Sequence, residues 1–211
     1  MIFMTTQERM MIDDIINFLV EQGLNEHLAQ YGEHCSENWF CDGDFYNTHG
    51  IWARGGATKL CIGHDNLCDW VIKVGYTERV KYNYAQREYD FYLKAAEVGL
   101  EHYFPKTVYL GEYGGQPYFA QEMADCDESY VSSTWYEKLR DQYEEDGEEY
   151  NEDYLWDEID GMDDDQRLFL AFGDAELCEF CNENHIGDFH EGNFGYIGDH
   201  LVIVDFSGWL H

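Results

Sequence analysis

Apolar positions near the start of the chain recur at helical spacing, with Met11, Ile12, Ile15, Ile16, Leu19 and Val20 forming one stripe. Thr5 and Glu8 supply a capping box before the stripe and Gly23 a stop after it, which predicts an N-terminal amphipathic helix. Between Gly50 and Gly75 the pattern changes to short β-type runs, Lys59 to Gly63 and Trp70 to Gly75, separated by the turn-like His64-Asp65-Asn66. These read as antiparallel strands. Asn83 with Gln86 caps a predicted helix that runs to about Val98 and ends at Gly99. Two further strands are expected at Thr107 to Leu110 and Tyr118 to Met123, split by Gly114-Gly115. A single helix is predicted from about Asp164 to Asn182, carrying Leu168, Phe169, Phe172, Leu177 and Phe180. The last stretch reads as a loop, His185 to Gly195, followed by a short apolar strand, Leu201 to Val204, that ends in Asp205-Phe206-Ser207.

This mixture of helix-period and strand-period segments gives an α+β chain. Its 211 residues suffice for one large domain or a pair of closely packed lobes. No internal repeat is visible, and with two prolines there is no evident linker. The opening residues lack the basic start and pure apolar run of a secretory signal, and no later apolar run approaches membrane-spanning length. A soluble, cytoplasmic protein without a membrane partner is therefore expected. Seven cysteines, an odd number at irregular spacing, fit reduced thiols better than a disulfide framework.

Charge changes the picture more than length does. Forty-four acidic residues face 12 basic ones, for a formal net charge of −32. Such a surface repels nucleic acid and anionic membranes and favours basic protein partners. Between Glu137 and Asp165 lie 15 acidic residues and two basic ones, interleaved with Tyr143, Tyr150, Tyr154, Trp156 and Ile159, which argues against a purely disordered segment. Cys178, Cys181 and His185, and separately Cys61, His64 and Cys68, have spacings seen in zinc sites. Each set offers only three ligands, and packing or solvent exposure accounts for both.

The chemistry rests on two groups of residues. In the helix after Asn83, Glu88 falls in the middle of the face drawn by Tyr84, Phe91, Ala95 and Val98, where a carboxylate is costly unless paired. Its natural partner is Lys73, in the β-branched run Val71-Ile72-Lys73-Val74. The second group is the loop Gly187-Asp188-Phe189-His190-Glu191-Gly192-Asn193, followed by Asp205 at the end of an apolar strand. Phosphoryl transfer asks for a carboxylate that orients the attacking hydroxyl and for oxygen ligands that hold Mg²⁺ on the phosphates, and Asp188, Asn193 and Asp205 offer that set.

Together these residues resemble the protein-kinase superfamily. Val71-Ile72-Lys73 is similar to its lysine strand and Glu88 to its ion-pairing helix glutamate. Asp188 with Asn193 resembles the catalytic loop, and Asp205-Phe206-Ser207 the metal-binding motif. Order and approximate spacing agree across residues 50 to 208, about three quarters of the chain. The Asp-x-His-x-Gly-Asn form of the loop is closest to aminoglycoside-phosphotransferase-like kinases and to the early-gene serine/threonine kinases of some bacteriophages, and Val-Ile-Lys-Val-Gly also resembles the phage version. The resemblance implies a bilobal protein-kinase-like fold. Residues 49–124 would form a small antiparallel-sheet N-lobe and hinge, and 125–211 a truncated, mainly helical C-lobe with an acidic insertion at 137–165. An amphipathic helix and connector, 1–48, would precede them.

By the same resemblance the cofactors are ATP and Mg²⁺. Lys73 would bind the α and β phosphates, Glu88 would hold Lys73, and Asp188 would be the catalytic base. Asn193 and Asp205 would ligate Mg²⁺. Gln121-Glu122-Met123-Ala124 resembles the hinge, whose backbone at Glu122 and Ala124 would meet adenine. Gly55 and Gly56 would cover the phosphates, and His190 stands where many protein kinases place a lysine, so its charge would depend on pH.

Three departures accompany the match. The glycine-rich loop is reduced to Arg54-Gly55-Gly56-Ala57, and the histidine expected two residues before the catalytic Asp is His185, three before. Six residues follow Asp205, so the activation segment and peptide-platform helices are expected to be absent. The function expected first is an ATP- and Mg²⁺-dependent serine/threonine kinase acting on a basic protein or on itself. The alternative is a binding protein on a kinase scaffold, whose acidic surface imitates nucleic acid and occupies a basic groove on a host nucleic-acid-binding protein. A small-molecule kinase would be restricted by this surface to cationic substrates such as aminoglycosides. Retention of the buried-type polar residues favours an enzyme, because a bare scaffold is better filled with apolar side chains.

Overall fold

The computed structural model describes residues 3–31, 36–56, 58–76 and 83–206; Ala57 and Ser207 lie outside them. The fold is α+β, and the chain divides into two compact units, Met1–Tyr92 with Lys106–Met123 and Leu93–Pro105 with Ala124–His211.

In the first unit β1 (Ile51–Gly55), β2 (Lys59–His64), β3 (Trp70–Gly75), β4 (Thr107–Tyr113) and β5 (Gln116–Glu122) form one antiparallel sheet in the order β1-β2-β3-β5-β4. The β4–β5 turn places Gly114 and Gly115 at φ of 58° and 81°, the left-handed region that glycine enters without steric cost. Side chains alternate between the two faces of a strand, so the register sorts the sheet. One face carries Leu60, Ile62, Trp70, Ile72, Val74, Tyr118 and Ala120, all buried.

That apolar face needs a cover, and four N-terminal helices provide it. α1 (Thr6–Glu21), α2 (Leu24–Tyr31), α3 (Ser36–Asp42) and α4 (Phe45–His49) contribute Ile12, Ile16, Leu19, Leu24, Leu28, Phe40 and Phe45 to the same cluster. Each such side chain is worth about 1.5–3 kcal/mol when fully buried. Thr5 and Glu8 form the capping box at the head of α1, and Gln22 closes the helix. Polar groups fix the docking angle. Arg9 pairs with Asp13 at 2.9 Å and also donates to the Leu110 carbonyl of β4, while Tyr118 donates to Asn25 Oδ1 at 2.6 Å.

The opposite face carries Thr107, Tyr109, Phe119 and Gln121 together with Lys59, Cys61 and Lys73. Against it lies the first part of α5 (Tyr84–Val98), where Tyr89 packs its ring 5.5 Å from that of Phe119. Asn83 caps α5 by accepting from the Gln86 N–H at 3.0 Å. The buried stripe of α5 is Tyr84, Ala85, Glu88, Phe91 and Ala95; Val98, assigned to that face from spacing, is exposed.

The second unit holds α6 (Glu128–Asp146), α7 (Glu152–Gly161), α8 (Asp164–Phe172) and α9 (Ala175–Glu183), followed by the hairpin of β6 (Phe194–Ile197) and β7 (His200–Ile203). The acidic stretch is thus largely helical. It buries Leu139, Leu155 and Ile159 and turns its carboxylates to solvent. The single helix predicted over 164–182 is two helices. Gly173 ends α8 in the left-handed region, and Asp174 starts α9 by accepting from the N–H groups of Glu176 and Leu177. β6 begins within the last two residues of the predicted loop. Its Gly195 reads as a loop signal, yet a Cβ there would come within 2.9 Å of the Asp125 carbonyl oxygen, so the glycine serves the close approach that lets Tyr196 bridge to Asp125.

Candidate active site

In the first unit β3 and α5 bring Lys73 and Glu88 together, with Nζ 2.8 Å from Oε2. A third group joins them that spacing alone does not suggest. Lys59, the first residue of β2, places its Nζ 2.9 Å from Oε1 of the same carboxylate. Glu88 is 0% exposed and both lysines 4%. The register explains the convergence. Cys61 pairs with Lys73, and Lys59 lies two residues from Cys61, so both lysines leave the sheet on the α5 side. A lysine at the head of a strand reads as a solvent-facing edge until that register is known.

Gly55 closes β1 opposite Leu60, and the Gly56 N–H donates to the Lys59 carbonyl at 3.0 Å. A Cβ on Gly56 would meet only that carbonyl oxygen, at 3.7 Å, so packing does not demand glycine here. At the far end of the sheet Glu122 closes β5, its N–H donating to the Lys106 carbonyl at 2.8 Å, and Ala124 begins the longer segment of the second unit.

In the second unit the loop after α9 is held from outside by a residue that the sequence does not single out. Asp164, in the first turn of α8, accepts from the Asp188 N–H at 2.7 Å and from the Phe189 N–H at 3.1 Å. Arg167, one turn on, donates to the Phe189 carbonyl at 3.3 Å. Phe189 is buried against Phe194, while the Asp188 and His190 side chains on either side are about half exposed, at 50% and 47%. One buried anchor therefore presents two polar groups outward. Asp188 holds φ of 64°, a conformation uncommon outside glycine and concentrated at functional positions.

The loop closes on itself through Asn193, whose Nδ2 donates to the Asp188 carbonyl at 2.7 Å. That bond leaves Oδ1 as the amide's acceptor atom. His190 Nδ1 accepts from the Gly192 N–H at 3.1 Å, and its Nε2 lies 3.9 Å from Asp188 Oδ2. The hairpin then returns the chain to the same place. Val204 N–H donates to the Asn193 carbonyl at 2.9 Å, and Asp205 follows, fixed by buried Phe206, whose ring lies 4.9 Å from that of Phe104. An amide oxygen and a carboxylate at one hairpin end are the hard oxygen donors that Mg²⁺ takes. Among the described residues no three His, Cys, Asp or Glu side chains gather as a metal cluster, the two cysteine–histidine sets included. Within them also, no helix is long and apolar enough to cross a membrane.

No protein-family model, curated protein or solved structure matches the chain. Function is therefore argued from the two groups of residues themselves.

The Asp164 contacts lead to an expected result. Asp164→Ala removes the acceptor of two loop N–H groups and lets Asp188 drift, so a phosphotransferase should lose about 10–100-fold in kcat with little change in KM for ATP. Steady-state kinetics on the variant measure this. A comparable rise in KM with kcat unchanged would assign Asp164 to nucleotide binding instead.

Proposed function

We propose that the protein is an ATP- and Mg²⁺-dependent phosphotransferase with a bilobal, protein-kinase-like arrangement, transferring phosphate to a serine or threonine of a basic protein or of the chain itself. The observation that carries this is the lysine of β3 held 2.8 Å from a fully buried glutamate of the following helix. A buried ion pair is rarely the best choice for stability alone, and a phosphate-binding lysine needs such an orienting partner.

In this function Lys73 binds the α and β phosphates and Glu88 keeps its ammonium in place. The backbone of Gly55 and Gly56 approaches the phosphates, and that of Glu122 and Ala124 meets adenine. Asp188 orients the acceptor hydroxyl and takes its proton, and His190, beside it, faces the transferred group. Asn193 and Asp205 hold Mg²⁺, which when bound neutralises charge on the phosphates.

The test is mass action. ATP with Mg²⁺ at 100 times its Kd stabilises a native-only site by about 2.7 kcal/mol. Thermal unfolding should therefore move to higher temperature with ATP, and further with Mg²⁺. Asp205→Asn should remove most of the Mg²⁺-dependent part. No shift at millimolar ATP in the natural sequence would overturn the assignment.

A specific observation favours a second function, an acidic binding protein on the same scaffold. The stretch rich in carboxylates is largely helical, with Glu144, Glu145 and Asp146 exposed at the end of α6, Glu148 and Glu149 exposed in the connection to α7, and Tyr154 and Trp156 exposed on α7. Ordered negative charge of this density suits a basic groove that otherwise takes nucleic acid.

A further inference from the structure

We propose, resting on the reading of the acidic surface as one for a basic partner, that α6 and α7 form an arginine-binding face that takes an arginine-rich protein segment. Its rings are Tyr136 and Tyr143 of α6, Tyr150 of the connection, and Tyr154 and Trp156 of α7. Tyr136 and Tyr143 lie two helical turns apart and so share one side of α6. Trp156 stacks on Tyr136 with centroids 4.9 Å apart at 24°, while Tyr143 meets Tyr150 at 6.1 Å and Tyr154 at 6.2 Å, both edge-on. Edge-on pairs cover fewer ring faces than stacked ones. Tyr154 stays 52% exposed and Trp156 40%.

Packing does not account for these rings. Leu139 of α6 and Leu155 and Ile159 of α7 are buried and serve the core, and a face kept only for solvation would carry its carboxylates without exposed tyrosine and tryptophan among them. The charge around the rings says what they face. Tyr150 and Tyr143 donate their hydroxyls to Glu144 and Glu158, each at 2.8 Å. A phenol that donates to a carboxylate has a more electron-rich ring, and such a ring attracts a cation to its face. The two cations of the stretch are already engaged, Lys138 with the Ala171 carbonyl and Arg140 with Asp141 at 2.8 Å. Glu145, Asp146, Glu148 and Glu149 remain exposed, so the positive charge that complements this face comes from a partner. Guanidinium suits it better than ammonium. It is planar and weakly hydrated, and it stacks on a ring while its N–H groups fork onto a carboxylate, two features that stand side by side here. A lysine ammonium, compact and strongly hydrated, gains mainly from the charge.

Calorimetric titration of the full chain with an arginine–glycine repeat peptide, and with a lysine–glycine peptide of the same length, tests this. The natural sequence should bind the arginine peptide about tenfold more tightly, the scale of two exposed ring–guanidinium contacts. The double change Tyr154→Leu and Trp156→Leu should remove that preference while leaving the lysine peptide within about twofold of its original affinity. Tyr154→Phe with Trp156→Phe keeps the ring faces and should keep most of the preference. Glu145→Gln with Glu148→Gln and Glu149→Gln should weaken both peptides alike and flatten the dependence on salt. Should the leucine variant fail to fold, Trp156→Leu alone replaces it. Equal affinity for the two peptides in the natural sequence, or a preference that survives loss of the rings, overturns the arginine face and leaves the reading of a basic partner standing. Loss of the preference in the phenylalanine variant also overturns it, since the rings would then act through the fold. If neither peptide binds, both the arginine face and the basic-partner reading fall.

Discussion

Asp188→Asn should lower the rate of phosphate transfer by ~10²–10⁴-fold, the range that general-base catalysis contributes. The carboxylate is half exposed and its loop is fixed by groups other than that carboxylate, namely Asp164 and Arg167 from α8, buried Phe189, and the Asn193 amide that donates to the Asp188 carbonyl. The change should thus silence chemistry without unfolding the loop. Asparagine is the better test than alanine. The φ of 64° costs a non-glycine residue about 1–2 kcal/mol, and asparagine, like aspartate, offsets part of this through local hydrogen bonds. The same variant separates the two functions. For a kinase, transfer and biological effect disappear together. For an acidic binder the effect survives, while neutralising Glu144, Glu145, Asp146, Glu148 and Glu149 weakens partner binding and flattens its salt dependence. A folded, silent and fully effective Asp188→Asn protein would sink the enzymatic account.

What could be read in the sequence was what local chemistry fixes. The capping pair Thr5 and Glu8, the Asn83 cap and the Gly114-Gly115 turn each act within a few residues, and the elements they bound stand where they were expected. The pair Lys73 and Glu88 was legible because each residue alone breaks its apolar pattern. What escaped depends on register or on distant neighbours. Lys59 joins the site only through the pairing of β2 with β3, and Asp164 acts on backbone N–H groups 24 and 25 residues away, which no side-chain pattern records. The split of α8 from α9 escaped for another reason. Apolar periodicity continues across Gly173 and Asp174, and the stop-and-start chemistry there is local but was outweighed by the stripe.

Glu88→Gln is expected to destabilise the protein by about 3–5 kcal/mol, the cost of removing one partner from a buried ionic group. Here one carboxylate serves two ammonium ions at 4% exposure, so the change withdraws the negative charge that both contact while the lysines remain. Urea unfolding measures the loss, and a value under about 1 kcal/mol would show that the group is not held as an ionic unit. The informative comparison is the triple change Lys59→Met, Lys73→Met and Glu88→Leu. Replacing a buried ionic group by apolar side chains of similar size is often neutral or stabilising. The triple variant should therefore recover most of the stability that Glu88→Gln loses while gaining no nucleotide affinity. Stability would then be nearly indifferent to these three side chains together but sensitive to their separation, as expected of residues kept for function rather than for stability. A triple variant as unstable as Glu88→Gln would instead assign the lysines and glutamate a role in holding α5 on the sheet.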